Sequence, residues 1–382
     1  MPKTPTLRPD LADLEPYDPD MRPARVILTA NENNYGLPDG VRAAVDAALS
    51  EVPTNRYPDA TSPELRRALG EMWGVPADGV VVGNGGDEII FNLLLGFGGP
   101  TRPLVTCAPT FSAYELYAQL TQTPVVRVAR TESFDVDEVA TLSAARDAGL
   151  VVVCSPNNPS GNLVSPAFVE RLADQTDALV MVDEAYGEFA DDGSSCVPLV
   201  AAHDNVCVLR TLSKAFSLAG ARVGYLIGSR PVVDGMLAVR LPYSVNRFSQ
   251  RAAQVVVERR AELRPALDAI VAERPRLTAL LAGIADELTR SGAARAQAFP
   301  SQANFVMMRV IPTERGRADG LPDAHQVHEL LAERGVLVRD FSSTPGCEGC
   351  LRVTVGRPAE TDELVARLRE AYGLGPAGDP AR

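Results

Sequence analysis

The chain has 382 residues, 46% of them hydrophobic, with 37 basic against 49 acidic side chains and a formal net charge of −12. Such a length accommodates about two domains with ample material for a core, while the acidity argues against nucleic acid or an anionic membrane as the main partner. No apolar run approaches the roughly 18 residues needed to cross a bilayer, and the stretch from Met1 to Asp20 lacks the apolar segment of a secretory signal, so a cytoplasmic enzyme is expected.

Residues 1–36 read as an extended N-terminal arm, punctuated by prolines and holding one short apolar strand at 26–28. From about 40 to 250 helical and strand patterns alternate. Helix starts are expected at Ser62-Pro63 and Ser165-Pro166, each a capping hydroxyl followed by proline at the first helical position. Valine-rich runs at 150–154, 178–182 and 205–209, bounded by turn residues and separated by helical stretches, read as buried parallel strands. The run 223–227 follows without a helix and is expected to pair antiparallel. From about 251 the pattern is long helix, with kinks or a break expected at Pro265 and Pro275. Strands near 304–309, 336–339 and 351–355, with helices near 324–334 and 360–372, then suggest a smaller α+β unit. The expected organisation is an α/β fold: an arm at 1–36, a large domain at 37–260 built on a mostly parallel central sheet, and a small C-terminal domain at 261–382.

Of six cysteines only Cys347 and Cys350 have metal-like spacing, and no second pair stands at finger distance, so no metal site is expected. His325 and His328, one helical turn apart, read as a solvated face.

Lysine is almost absent. Lys3 and Lys214 are the only two, and every other basic residue except histidine is arginine. A lysine retained against that bias suits a task that a permanently charged guanidinium cannot perform, such as losing a proton and attacking a carbonyl. Four loops follow predicted strands, at the ends where open α/β sheets place ligands: Gly83-Asn84-Gly85-Gly86-Asp87-Glu88 after 80–82, Ser155 to Asn162 after 150–154, Asp183-Glu184-Ala185-Tyr186 after 178–182, and Thr211-Leu212-Ser213-Lys214 after 205–209. The first opens a helix and so can hold a phosphate on backbone N–H groups. Singly each loop is ambiguous: Asp183 reads as readily as a helix cap, and Asn157-Asn158-Pro159 as a turn. Together they supply an amine, a carboxylate, a phenol, an amide and a phosphate cradle completed by Arg222, which are the needs of pyridoxal 5′-phosphate.

With those motifs in place the chain resembles the fold-type I, class II aminotransferases, most like the histidinol-phosphate aminotransferases, from Leu14-Glu15-Pro16-Tyr17 to Leu351-Arg352-Val353-Thr354-Val355-Gly356. The resemblance implies the PLP-dependent transferase fold, with Lys214 forming the internal aldimine and carrying the proton, and Asp183 paired with the pyridine nitrogen. Asn157 and Tyr186 would hold the ring oxygen, and Phe111 of Pro109-Thr110-Phe111 would stack on the ring. Gly86, Asp87, Thr211, Ser213 and Arg222 would take the phosphate, joined by Tyr57 of Asn55-Arg56-Tyr57-Pro58 from the other subunit of a homodimer. Arg339 and Arg352 match anion-binding positions. Tyr17, reaching across the dimer, and Asn31 match substrate-side positions, with Asn157 also facing the substrate, and the loop Leu241 to Asn246 would line the cleft. Where the family continues Asn-Glu-Asn-Pro, this chain has Asn34-Tyr35-Gly36, so that Tyr35 can enter the substrate entrance.

The implied reaction is ping-pong amino transfer between histidinol phosphate, or an aromatic or unusual amino acid, and the 2-oxo acid 2-oxoglutarate. A lyase of the same fold, such as a threonine-phosphate decarboxylase or a cyclising dehydratase, would use the same Lys, Asp and Arg set. A non-catalytic effector-binding domain of a transcription regulator is disfavoured by the acidity and by an arm that leads directly into the cofactor segment.

Overall fold

Short apolar segments build two sheets, which we describe from a computed structural model for residues 5–12, 14, 20 and 22–375; Lys3 and Tyr17 lie outside the described residues. The strands are β1 (Val26–Leu28), β2 (Val80–Asn84), β3 (Leu104–Ala108), β4 (Val125–Ala129), β5 (Leu150–Cys154), β6 (Leu179–Asp183), β7 (Val206–Thr211), β8 (Val223–Gly228), β9 (Ala294–Ala298), β10 (Phe305–Pro312), β11 (Val336–Asp340) and β12 (Cys350–Thr354).

The larger sheet has the order β2-β8-β7-β6-β5-β3-β4. Pairing is parallel from β4 through to β7, and β8 is antiparallel to both β7 and β2, as the missing helix before 223 implied. Strands β5, β6, β7 and β8 are buried along their whole length. Their residues divide by parity between two apolar layers: Val151, Val153, Val180, Val182 and Val208 belong to one, Leu150, Val152, Met181, Cys207 and Leu209 to the other. That two-sided burial is why these runs are continuous rather than alternating in polarity, and each fully buried valine or leucine contributes about 1.5–3 kcal/mol before entropy is counted.

The smaller sheet has the order β1-β11-β12-β10-β9, with only the β1–β11 pair parallel. The strand of the N-terminal arm is thus stitched to the C-terminal part of the chain. Directly opposed residues of β11 and β12 include Arg339 and Arg352, which therefore share one face of the sheet.

Three expectations are corrected. Pro63 and Pro166 do occupy first-turn positions, but neither Ser62 nor Ser165 makes a side-chain capping bond, and Ser62 sits in the left-handed region at φ 52°. The helix Arg264–Arg290 runs 27 residues without a break: Pro265 lies in the first turn, where its missing N–H has no partner to lose, and Pro275 is exposed. Burial of Ile270, Leu277, Leu281, Ile284 and Leu288 outweighs the lost bond at Pro275. His328 is buried rather than solvated, with Nε2 3.5 Å from the Asp20 carboxylate and 3.2 Å from the Arg22 guanidinium; His325 alone is exposed, bonded to Asp340 at 2.9 Å. Tyr35 is partly buried against the core beneath the Arg357 guanidinium, 5.4 Å from its ring centroid.

The exposed Pro275 generates a prediction. Pro275→Ala restores a helical N–H without adding bulk, so denaturant unfolding should show a gain of about 1–3 kcal/mol; an unchanged or lower midpoint would mean that the proline's local geometry is needed.

Candidate functional site

Strands β5, β6 and β7 end side by side, and the residues just beyond them define the site. Asp183 is the last residue of β6, paired with Cys154 and Leu209, so its carboxylate is fixed by sheet register rather than by a loop. It is buried, accepting a bond from the Tyr114 hydroxyl at 2.6 Å and from the Ala185 amide at 3.0 Å. Burial raises its pKa to about 6 against the lowering effect of those two donors.

Lys214 follows β7 by three residues. Its amine donates to the Ala30 carbonyl at 2.7 Å, and among the described residues no carboxylate accepts from it. The side chain retains partial solvent access although protein atoms surround the amine, and burial, with the cations Arg352 and Arg222, lowers its pKa to about 8. A substantial fraction is thus a neutral nucleophile near physiological pH.

Tyr186 is buried against Phe305, and its hydroxyl accepts from Asn31 at 2.9 Å; burial raises its pKa to about 12. Asn31, at φ 56°, also holds Thr354 through both its amide and its side-chain oxygen. Asn157 is fully buried after β5, accepting from Thr110 at 2.7 Å and donating to Ser160 at 2.9 Å and Pro109 at 3.2 Å. Phe111 meets Tyr114 edge-on at 5.6 Å, which places an aromatic surface beside the Asp183 pocket.

A cradle lies where β2 turns into the helix Gly85–Phe97. Gly85 has φ 80°, and a side chain there would strike Arg222 at 2.7 Å; one on Gly224 would strike the Gly85 and Gly86 backbone at 2.6 Å. Backbone therefore packs on backbone, leaving Gly86 and Asp87 in the first helical turn. Arg222 donates to Asp87 at 2.8 Å, and both side chains remain partly exposed. Thr211 and Ser213 are buried alongside and share a bond at 3.1 Å. An amine, a buried carboxylate, an aromatic surface and an anion cradle in one cleft fit pyridoxal 5′-phosphate.

Arg352 is buried on the small-sheet side. It donates to Asn158 at 2.5 Å and to the Thr29 carbonyl, and lies over the rings of Phe305 and Phe341 at 5.2 and 5.3 Å. Its neighbour Arg339 is half-buried. Two guanidinium groups on one sheet face make a locally positive wall suited to an anion. Tyr57 is not gathered into this cleft: it is 78% exposed and stacks on Tyr243 at 4.8 Å. A cavity of about 500 Å³ lined by Asp59, Ser62, Arg247 and Gln254, among others, also lies away from Lys214 and Asp183, so chemistry rather than cavity size identifies the site.

Sequence reasoning did not single out Tyr114, Thr110, Asn158 or the Ala30 carbonyl. Tyr114 lies in the first turn of the helix Ala113–Leu120, three residues after Phe111; the others depend on distant segments meeting.

The sequence profile of aminotransferase class I and II matches residues 24–368. A histidinol-phosphate aminotransferase of Thermococcus kodakarensis is 36% identical over 364 residues, covering 95% of this chain and 98% of that protein. Among solved structures, the histidinol-phosphate aminotransferase of Sinorhizobium meliloti in complex with pyridoxal-5′-phosphate superposes with a TM-score of 0.83 at 24% identity, covering 97% and 98% of the two chains. The L-threonine-O-3-phosphate decarboxylase of Porphyromonas gingivalis superposes with a TM-score of 0.74 at 22% identity, covering 90% and 98%, so the fold by itself is compatible with more than one reaction.

The two-lysine composition makes one prediction direct. Reductive methylation of the cofactor-free protein, followed by peptide mass spectrometry, should modify Lys214 with a rate that rises through pH about 8. A midpoint near the ordinary lysine value of about 10.4 would contradict the buried environment.

Proposed function

The chain belongs to the class I and II aminotransferase family and is a pyridoxal 5′-phosphate-dependent aminotransferase, and from that footing we propose that it transfers the amino group of histidinol phosphate to 2-oxoglutarate. The supporting observation is the juxtaposition of a lysine amine whose pKa is lowered to about 8 with a buried aspartate and a buried arginine. The names of its 36%-identical relatives favour the donor.

Bound in the cleft, the cofactor supplies an electron sink for the bond broken at the substrate's α-carbon. In our reading Asp183 would hold a proton on the pyridine nitrogen, which requires its ionised form, and Tyr114 would favour that form by donating to it. Asn157 and Tyr186 would hold the ring oxygen, and Phe111 would cover one ring face. Gly86, Asp87, Thr211, Ser213 and Arg222 would bind the phosphate, Arg222 having to exchange its bond with Asp87 for one to the ligand. Lys214 would anchor the cofactor and then, as a free base, take the proton from the substrate's α-carbon through Nζ. Arg352 and Arg339 would receive the substrate's anionic group, with Asn31 acting through Tyr186.

The same reading divides the chain into an arm at 1–36, a large domain at 37–260 and a small domain at 261–382. A boundary near 260 is supported by the 3₁₀ turn Arg260–Leu263, which precedes the long helix that packs on β9 and β10. It makes the enzyme a cytoplasmic homodimer, with Tyr57 and Tyr17 serving the partner's site. The dimer is supported by the exposed apolar group of Tyr57, Leu241, Tyr243 and Phe248. Among the described residues no helix is long and apolar enough to cross a membrane.

A single turnover of the cofactor-loaded protein with histidinol phosphate and no oxo acid should give one equivalent of oxo product and leave the cofactor in its amine form. Release of carbon dioxide from an amino-acid substrate with the cofactor regenerated would instead mark a lyase. In a panel with phenylalanine, tyrosine, arginine and threonine phosphate, histidinol phosphate should have the highest kcat/KM. Arg352→Ala should weaken that donor's binding by about 2–5 kcal/mol, and an unchanged KM would remove Arg352 from the anion site while leaving the cofactor assignment intact.

A further inference from the structure

On the face of the larger sheet opposite Asp183 lies a buried charge cluster that touches neither cofactor nor substrate groups. Arg210, next to last in β7, is 1% exposed. Its guanidinium donates to Glu184, to Glu188 at 2.9 Å and to the Ser195 hydroxyl at 3.0 Å. Glu184 in turn accepts from Ser195 at 2.8 Å and from the Cys196 amide at 2.5 Å. The remaining guanidinium face is covered by the Trp73 ring at 4.0 Å, and Trp73 is pinned by its own bond to Tyr225 at 2.8 Å.

The location gives this cluster its significance. Glu184 directly follows Asp183 and Glu188 follows Tyr186 by two, whereas Arg210 directly precedes Thr211 and stands four residues before Lys214. The last backbone bond between the two strands runs from the Glu184 amide to the Leu209 carbonyl at 2.9 Å. Beyond it the strands diverge into separate loops, one holding Tyr186 and the other Ser213 and Lys214, with no further ladder between them. The Arg210 fork takes over where the ladder ends. Even the turn between the two glutamates is shaped to admit it: a side chain at Gly187 would come within 2.9–3.1 Å of the guanidinium nitrogens and carbon.

We infer that Arg210 is a positioning residue for the reaction, clamping the Asp183–Tyr186 turn to the Thr211–Lys214 segment so that carboxylate, phenol and amine keep a fixed spacing. The inference rests on the functional reading above. It follows from chemistry specific to arginine. Two carboxylates and a hydroxyl at three bearings require a planar group with several N–H donors, and lysine's single ammonium cannot reach all of them. A clamp that merely stabilised the fold would act on unfolding; a clamp that sets spacing acts on turnover, because small displacements of catalytic groups cost rate.

The test compares two variants of the cofactor-loaded full chain. Arg210→Lys keeps the charge and loses the fork. Glu188→Gln keeps the fork and an acceptor while removing one charge. Three quantities are read: the kcat and KM split, the fraction of pyridoxal phosphate retained on dialysis, and the thermal midpoint, with emission of Trp73, the only tryptophan, reporting on the cluster. Positioning predicts a fall in kcat of about tenfold for Arg210→Lys and a smaller fall for Glu188→Gln, with KM within about twofold and cofactor retention declining in the same order. If both variants lower only the thermal midpoint and match the parent in kcat, KM and retention, the inference is overturned. Should Arg210→Lys fail to fold, Glu188→Gln decides alone by the same criteria. If the parent protein binds cofactor yet transaminates no donor, the functional reading fails, and dialysis still decides whether the clamp shapes the cofactor site.

Discussion

An amine and a carboxylate have to be buried in one cleft without neutralising each other, and the rest of the site is arranged around that requirement. Had Lys214 and Asp183 formed an ion pair, each would be locked in its charged form, and the amine would be useless as a nucleophile or base. Instead Lys214 bonds to the Ala30 carbonyl, and Asp183 is held by Tyr114 and Ala185. Burial then shifts the two in opposite senses, the amine down to about 8 and the carboxyl up to about 6, so that the carboxyl is ionised from about 6 upward and the amine becomes neutral as pH rises through about 8.

The architecture supplies the separation. Asp183 is the end of one parallel strand and Lys214 lies just past the end of the next, so the distance between them derives from strand spacing and from what holds the diverging loops together. The cationic wall comes from elsewhere. Arg352 and Arg339 stand opposite each other on the antiparallel pair β11–β12 in the C-terminal part of the chain, and Arg352 reaches back to Asn158 in the loop after β5. The arm closes the arrangement from a third direction: β1 pairs with β11, and Ala30 and Asn31, just beyond it, contact Lys214 and Tyr186. Three stretches distant in sequence therefore share one cleft.

Much of this was legible in the sequence, for reasons that are themselves physical. Buried parallel strands are written as valine runs, so 150–154 coincides with β5, and β6 and β7 are displaced by only one or two residues. The displacement is informative: Asp183 and Thr211 are strand residues, because register bonds extend one step further than polarity suggests. Lys214 stood out because the composition so strongly favours arginine. Less visible were β3 and β4, and groups whose role depends on long-range packing. The Tyr114 hydroxyl finds Asp183 across 69 residues, and nothing local distinguishes it from a core tyrosine. Pro275 and His328 were misread for the same reason. Local rules read the proline as a helix break and the histidine as solvated, whereas packing of the long helix carried it through Pro275 and docking of Asp20 and Arg22 covered His328.

The central claim is that Lys214 is the covalent anchor of the cofactor. Borohydride reduction of the pyridoxal phosphate-loaded protein, followed by proteolysis and mass spectrometry, measures this at residue resolution. The expected result is one pyridoxyl phosphate group per chain, on the peptide containing Thr211-Leu212-Ser213-Lys214, and none on that peptide after Lys214→Ala. A label on Lys3 or the N-terminal amine, with Lys214 unmodified, would contradict the placement of the reactive amine in this cleft.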